Sequence, residues 1–409
     1  MGDVAVTGSE PRTLVLRFAD LGVATYASLR IVGEPSRTVT WVVEEPALMA
    51  ALAKLDAALP DPLGSESQRD AVERAIATGP LGTPDAEADM AAEVGSQLLT
   101  APAWQLLTEC VASPRAALFV SPSTRLARVP WAALAMPGDD GFRLIELVDV
   151  FTAAPPNIVN AARAAVNWES RQDRPPLLVL DPRVPGQRPD SPLGSVLGRP
   201  SEQTPLTRHF GDLMARRSVL PSVATAVELF RRADAGRAWL AGLLGEAPSR
   251  LLYVGHATAA DGDVGHADCA ALHLADDRPL SASDLMSAQL PFPPRVALLA
   301  CASGGDYRFD EATGLAAAMI LRGAQVVTAT LWSLPTAAGY RQFAPESTQT
   351  ADPMAEAIMA VDRAHEEADA GRAVNRWQRE QMRRWRTGDL TASPLYWAAL
   401  VTFAVDGAR

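Results

Sequence analysis

The sequence predicts an α/β layered fold: a mostly parallel central sheet flanked by helices, preceded by a small N-terminal β-meander and a helical region. Three observations carry this expectation. First, continuous apolar runs end in turn residues: "RAALFVS" (Arg115–Ser121), "PLLVLD" (Pro176–Asp181), "RLLYVGH" (Arg250–His256), "RVALLAC" (Arg295–Cys301) and "AQVVTATLW" (Ala324–Trp332). Such runs mark strands buried on both faces, as in a parallel sheet. Second, helical patterns over Pro156–Val166, Ala224–Leu244 and Glu311–Arg322 alternate with those runs, which places helices on both faces of the sheet. Third, the start of the chain is built differently. Arg12–Asp20, Val23–Gly33 and Ser36–Glu44 alternate apolar and polar residues between "LG" and "GEPS" turns, as half-buried antiparallel strands do.

The remaining elements follow in chain order. "PALMAALAKLDAAL" (Pro46–Leu59) opens with a proline, which the first helical turn tolerates. Helical patterns continue over Ser67–Thr78 and Asp85–Val111, where Cys110 lies near Leu106 and Leu107 and reads as core. Arg183–Ser218 reads as a long Pro-rich loop, with Pro185, Pro189, Pro192, Pro200 and Pro205 among Gly and Ser; loops of this length in compact domains are usually functional or disordered. The helix over Glu311–Arg322 stops at Gly323, ahead of the next strand. Helices over Pro353–Asp369 and Ala373–Arg386 precede a last strand, "YWAALVTFAV" (Tyr396–Val405). We divide the chain into residues 1–89, the meander and helices, read as a regulatory or partner-binding region, and residues 90–409, the main domain.

Composition narrows the function. The chain has 409 residues, 48% of them hydrophobic, enough for a large core. A net charge of -11 argues against a general nucleic-acid binder. "RWQREQMRRWR" (Arg376–Arg386) does not change this, because Val374, Trp377, Gln381 and Trp385 share one helical face; the tryptophans are expected to pack and the arginines to be solvated. No run of about 18 apolar residues predicts a membrane span. Met1–Pro11 lacks the basic and then apolar order of a secretory signal, and Val6 stands where a myristoylation motif wants Ser or Thr. Cys110, Cys269 and Cys301 are odd in number and widely spaced, which fits a reducing, cytoplasmic setting. His266, Cys269 and His273 do not supply the two ligand pairs of a structural zinc site, so neither a metal nor a cofactor is expected.

The chemistry is expected at two strand ends. In open α/β sheets, ligands bind outside the carboxyl ends of the strands. His256 ends "LLYVG" and Cys301 ends "VALLA", 45 residues apart. If those strands are neighbours, an imidazole stands beside a thiol, the minimum set for cysteine catalysis. His209, His266, His273 and His365 are expected to be surface or structural. No strand is followed by G-x-G-x-x-G, so a nucleotide-binding reading is weak.

At this point the sequence resembles a known family. "GHATAADGD", "LHLADDRPLSASDLM", "VALLACASGGDYRFDEATGLAAAMILRGAQVVTATLW" and "SPLYWAALVTFAV", in that order, resemble the CHAT domain, a caspase-like branch of the cysteine peptidases that is also similar to separase. The upstream "LFVSPSTRLARVPWAAL" and "FRLIELVDVFTAAPP" match the opening of that domain, and the resemblance covers roughly residues 90–409. It implies a caspase-like layered fold, with Cys301 as nucleophile and His256 as its partner. The backbone N–H groups of Ala257 and Cys301 would hold the oxyanion; the family usually has Gly after the histidine, where this chain has Ala257. It also implies that Trp332, Ser333 and Leu334 line the cleft. Asp310 and Glu311 match an acidic pair that opens a helix.

The implied function is a cytoplasmic cysteine endopeptidase that cuts a protein partner. Bacterial members of the family often act as effectors in defence or signalling, alongside sensor domains. No repeat of about 34 residues is visible, so a sensor or activating partner would be the meander, a ligand or a separate chain, and the isolated chain is expected to be poorly active. Separase-like relatives carry acids after the tryptophan that can pair with a basic substrate residue. "LWSLPTAAGY" (Leu331–Tyr340) has none, so small or apolar substrate side chains are expected unless Asp261 or Asp263 supplies the charge. The alternative reading is a catalytically silent interaction module with the same fold.

Overall fold

A computed structural model describes residues 11–112, 114–138, 141–163, 165–189, 191–258, 269–288, 290–301, 303–305 and 314–409. Within these, ten strands form one sheet. In chain order they are β1 (Thr13–Asp20), β2 (Ala24–Ile31), β3 (Glu34–Glu44), β4 (Ala117–Ser121), β5 (Asp149–Ala153), β6 (Leu177–Leu180), β7 (Arg250–Gly255), β11 (Arg295–Ala300), β12 (Val326–Thr330) and β13 (Leu400–Ala404). β8 (Ala257–Thr258), β9 (Ala271–Leu272) and β10 (Leu280–Ser281) make a small separate sheet. The spatial order of the large sheet is β3-β2-β1-β4-β5-β13-β12-β11-β7-β6.

Most neighbours in the sheet are parallel, and the directions fall into two blocks. β1, β4, β5 and β13 run one way, and β12, β11, β7 and β6 run the other, meeting at the antiparallel β12–β13 pair. The carboxyl ends of β7 and β11 therefore lie at the edge opposite those of β4 and β5.

The meander does not form a layer of its own. β1 pairs in parallel with β4, Leu14 opposite Leu118, so the sheet runs through the expected boundary at residues 89/90. One apolar cluster joins Leu14, Leu48 and Leu55 to Leu118, Val120 and Trp131. Across the same boundary Arg143 Nη2 donates to Glu87 Oε2 at 2.6 Å, with both side chains almost fully buried.

Alternation along the strands sorts the core into two faces. Leu252, Val254, Ala297 and Leu299 pack with helices Pro205–Arg216 and Pro353–Ala364. Leu251, Tyr253, Val296, Leu298 and Ala300 pack with helices Arg237–Gly245, Ala282–Ser287 and Leu315–Leu321.

Several expected elements are corrected. Residues 205–216 of the expected Pro-rich loop form a helix: Pro205 sits in its first turn, Thr204 caps it by accepting from the Thr207 N–H, and Leu206, Phe210 and Leu213 are buried at helical spacing. The density of prolines hid that period. Asp85–Val111 is split into Pro84–Leu98 and Ala101–Glu109, with Pro102 opening the second helix. Pro156–Val166 keeps only Pro156–Val159, and Ala224–Leu244 is helical only as a short 3₁₀ turn, Ala226–Leu229, and from Arg237. Residues 394–397 are a helical turn ahead of β13.

Helix Ala370–Arg386 buries Trp385 and half-buries Trp377, as its apolar face predicts. Its arginines are not all solvated, however: Arg379 is buried and donates to Asp149 Oδ1 at 2.8 Å. His209, His273 and His365 are buried. No helix among the described residues is long and apolar enough to cross a membrane.

Candidate active site

β7 and β11 are adjacent and parallel, with Leu299 opposite Val254 and Ala300 opposite Gly255. One step further along that register come Cys301 and His256. Both follow residues of the same sheet face by alternation, so two adjacent strand ends deliver a thiol and an imidazole to one edge. Each is partly exposed.

The backbone around His256 is fixed from beneath. The buried Tyr253 hydroxyl lies 2.7 Å from the His256 carbonyl and 2.8 Å from that of His273, its single proton shared between the two oxygens, while the His273 N–H donates to His256 O at 3.0 Å. Because a trans peptide points its C=O and N–H in opposite directions, the Ala257 N–H is turned away from β9. Ala257 lies in the extended strand β8, a conformation open to any residue, and its side chain packs in the second apolar cluster.

The chain after Cys301 is fastened to β12. Ser303 Oγ donates to Leu298 O at 2.6 Å and accepts from the Thr330 N–H at 3.2 Å, and the Gly304 N–H donates to Thr330 O at 2.9 Å. A Cβ on Gly304 would lie 2.8 Å from Val401 Cγ2, so only glycine passes there. In the sequence "SGGD" looks like an ordinary turn.

His256 Nε2 meets the carbonyl oxygen of Gly194 at 3.1 Å. A carbonyl only accepts, so Nε2 carries the hydrogen in the neutral ring and Nδ1 keeps the lone pair. Burial lowers the His256 pKa below its ordinary value, against the opposing pull of the Gly194 bond and Asp181, which keeps the ring a neutral base at pH 7. Gly194 lies in the Pro-rich segment, and nothing in "SPLGSV" marks it as a partner of His256. Its lack of a side chain is required: a Cβ would fall 2.3 Å from Pro189 O. Gly194→Ala is therefore expected to shift the carbonyl and lower kcat roughly tenfold or more, with a smaller effect on KM; steady-state kinetics on a cleaved peptide check this.

The other expected site residues fall out as follows. Trp332 is a correction. Its ring is fully buried, and its Nε1–H donates to Leu395 O at 3.0 Å, so it is part of the core and not a wall of an open cleft. Ser333 and Leu334 are half-buried just beyond β12. Asp261, Asp263, His266, Asp310 and Glu311 lie outside the described residues. Cys110 is buried, and that burial pushes its thiol pKa up, away from the thiolate form a nucleophile needs. A groove of about 880 Å³ beside Arg17, Ser121 and Pro155, and a cavity of about 270 Å³ beside Arg295 and Asp406, lie at the opposite sheet edge.

The family model for the CHAT domain matches residues 91–405. Two crystal structures of the Saccharomyces cerevisiae separase–securin complex, at 2.6 and 3.0 Å resolution, are similar at 10% sequence identity with a TM-score of 0.45. Each match covers 96% of this chain and 30% of the other, so the chain spans under a third of that protein's length. No curated protein sequence matches significantly.

Proposed function

Because the chain belongs to the CHAT-domain family, we propose that it is a caspase-like cysteine endopeptidase cutting a protein partner through Cys301 and His256. His256 Nδ1 takes the thiol proton, and the thiolate attacks the peptide carbonyl carbon. The N–H groups of Ala257 and Cys301 receive the oxyanion. As the C–N bond breaks, the imidazolium gives its proton to the leaving amine; water, deprotonated by the same imidazole, then hydrolyses the thioester. No cofactor enters these steps.

The observation that carries this reading is the β7–β11 register, which brings the two strand ends together while a backbone carbonyl orients the imidazole. The family resemblance supports a regulated cytoplasmic effector in a bacterial defence or signalling system, with a sensor or activating partner supplied by another chain or ligand. An electrophilic peptide probe, with its adduct located by mass spectrometry, tests the reading. Labelling concentrated on Cys301 and lost in His256→Ala supports it. Labelling no faster at Cys301 than at the exposed Cys269 supports the silent interaction module instead.

The substrate preference follows from Ser333 and Leu334. Neither brings a carboxylate, and burying an unpaired guanidinium costs several kcal/mol. Peptide-library profiling is expected to favour small or apolar residues before the cut. A strong Arg or Lys preference that survives Asp261→Ala and Asp263→Ala contradicts this.

A further inference from the structure

We infer that Asp181 and Arg231 are positioning residues for His256: together they fix the Gly194 carbonyl that holds its Nε2. This rests on the reading of Cys301 and His256 as a dyad. Asp181 follows directly after β6, is fully buried, and its N–H donates to Val254 O on β7 at 2.6 Å. Its carboxylate gathers the turn that carries Gly194. Oδ2 accepts from Ser195 Oγ at 2.6 Å and from the Leu197 N–H at 3.3 Å, and Oδ1 accepts from the Val196 N–H at 3.2 Å.

Arg231 joins the two halves of this arrangement. Its Nη1 donates to Asp181 Oδ1 at 3.3 Å and to Gly194 O at 2.9 Å, the same oxygen that faces His256. Its backbone N–H donates to Leu180 O at 3.1 Å. Both residues sit in the left-handed backbone region, Asp181 at φ 52 and Arg231 at φ 54, a costly conformation for side chains other than glycine. Fastening the turn to β6 needs only the Asp181 carboxylate. A guanidinium on the carbonyl that faces His256 does more, because it removes that oxygen's freedom to swing away from Nε2.

Among the described residues, Asp181, Arg231, His273 and the Cys301 thiol are the charged or titratable groups around the His256 ring, and the opposite charges of Asp181 and Arg231 separate positioning from a simple field effect. A field effect moves Asp181→Asn and Arg231→Met in opposite directions, since one removes a negative and the other a positive charge. Loss of positioning moves both the same way.

The test uses the full chain and two readouts. One is the rate of Cys301 alkylation by iodoacetamide at neutral pH, mapped by mass spectrometry. The other is the imidazole ¹⁵N shifts of His256, which report which nitrogen carries hydrogen. Asp181→Asn and Arg231→Met are each expected to slow alkylation roughly tenfold and to shift His256 from the Nε2–H form towards a mixture, with partial recovery in Arg231→Lys. Arg231 is the safeguard where Asp181→Asn fails to fold, because its side chain is partly exposed. Unchanged alkylation in Arg231→Met, alongside slowed alkylation in His256→Ala, overturns the inference and leaves the dyad standing. If His256→Ala also has no effect, the dyad reading fails. The ¹⁵N shifts then decide the positioning by themselves: an unchanged tautomer in Arg231→Met overturns it.

Discussion

Cys301→Ala is expected to lower peptide cleavage by roughly 10³-fold or more while leaving unfolding by urea unchanged. The strand-end position explains both halves of the result. Cys301 follows β11 rather than lying within it, and it is partly exposed, so trimming it to alanine opens no cavity in the core. The turn it begins is held by others: Ser303 binds Leu298 O, and Thr330 Oγ1 donates to Ala300 O at 2.5 Å. What is lost is the sulfur on which the proposed thioester would form. Cys110→Ala is the mirror experiment. Cys110 is 1% exposed within the main apolar cluster, so its loss should cost about 1 kcal/mol of stability and leave the cleavage rate unchanged. Cleavage that survives Cys301→Ala and disappears in Cys110→Ala would reverse the assignment.

The legible parts of this molecule are those that local pattern controls. The apolar runs of β7 and β11 are uninterrupted because both faces of each strand are covered, and the polar residue that ends each run, His256 or Cys301, marks where the cover stops. The meander is equally readable, because Leu14, Leu16 and Phe18 face the core while Arg17 does not. Its attachment was not readable. That β1 joins β4 depends on pairing between residues more than a hundred positions apart, and strand alternation carries no record of which neighbour a strand takes. β5 escaped for a related reason: "DVFTA" opens with Asp149, a residue disfavoured in strands, which is tolerated there because Arg372 and Arg379 both reach it from a distant helix.

At the candidate site, Cys301 and His256 could be singled out because they end strands, whereas the groups packed around them could not. Gly194 contributes only a carbonyl, which every residue has, and Asp181 reads as a turn residue after a strand. Trp332 differs from its expected place because the resemblance locates a backbone segment and says nothing about where a ring points, and here the ring turns into the core.

Asp362→Ala is expected to destabilise the protein by about 3–5 kcal/mol, the usual result of removing one partner from a buried charge cluster. Asp362 lies on helix Pro353–Ala364 and is 2% exposed. His209 Nε2 meets its Oδ2 at 2.8 Å, and Arg250 Nη1 donates to its Oδ1 at 2.5 Å. One carboxylate thus ties the helix inside the Pro-rich segment to the first residue of β7. Burial pushes the Asp362 carboxyl up, but Arg250 and His209 outweigh it, so its pKa lies below the ordinary value. The sign of the pH dependence follows. A carboxyl with a lowered folded-state pKa contributes stability that is fully present above its unfolded pKa, about 3.9, and is lost as pH falls through the folded one. Urea unfolding of the wild type should therefore weaken below about pH 4, and Asp362→Ala should remove part of that acid dependence while lowering stability at pH 7. The same variant should leave catalysis nearly intact where it is folded. Arg250 begins β7 and His256 follows its other end, about 20 Å away at strand rise, with Tyr253, His273 and Gly194 holding the histidine independently of Asp362. A kcat/KM that collapsed together with stability would show instead that β7 transmits the loss of its anchor to His256.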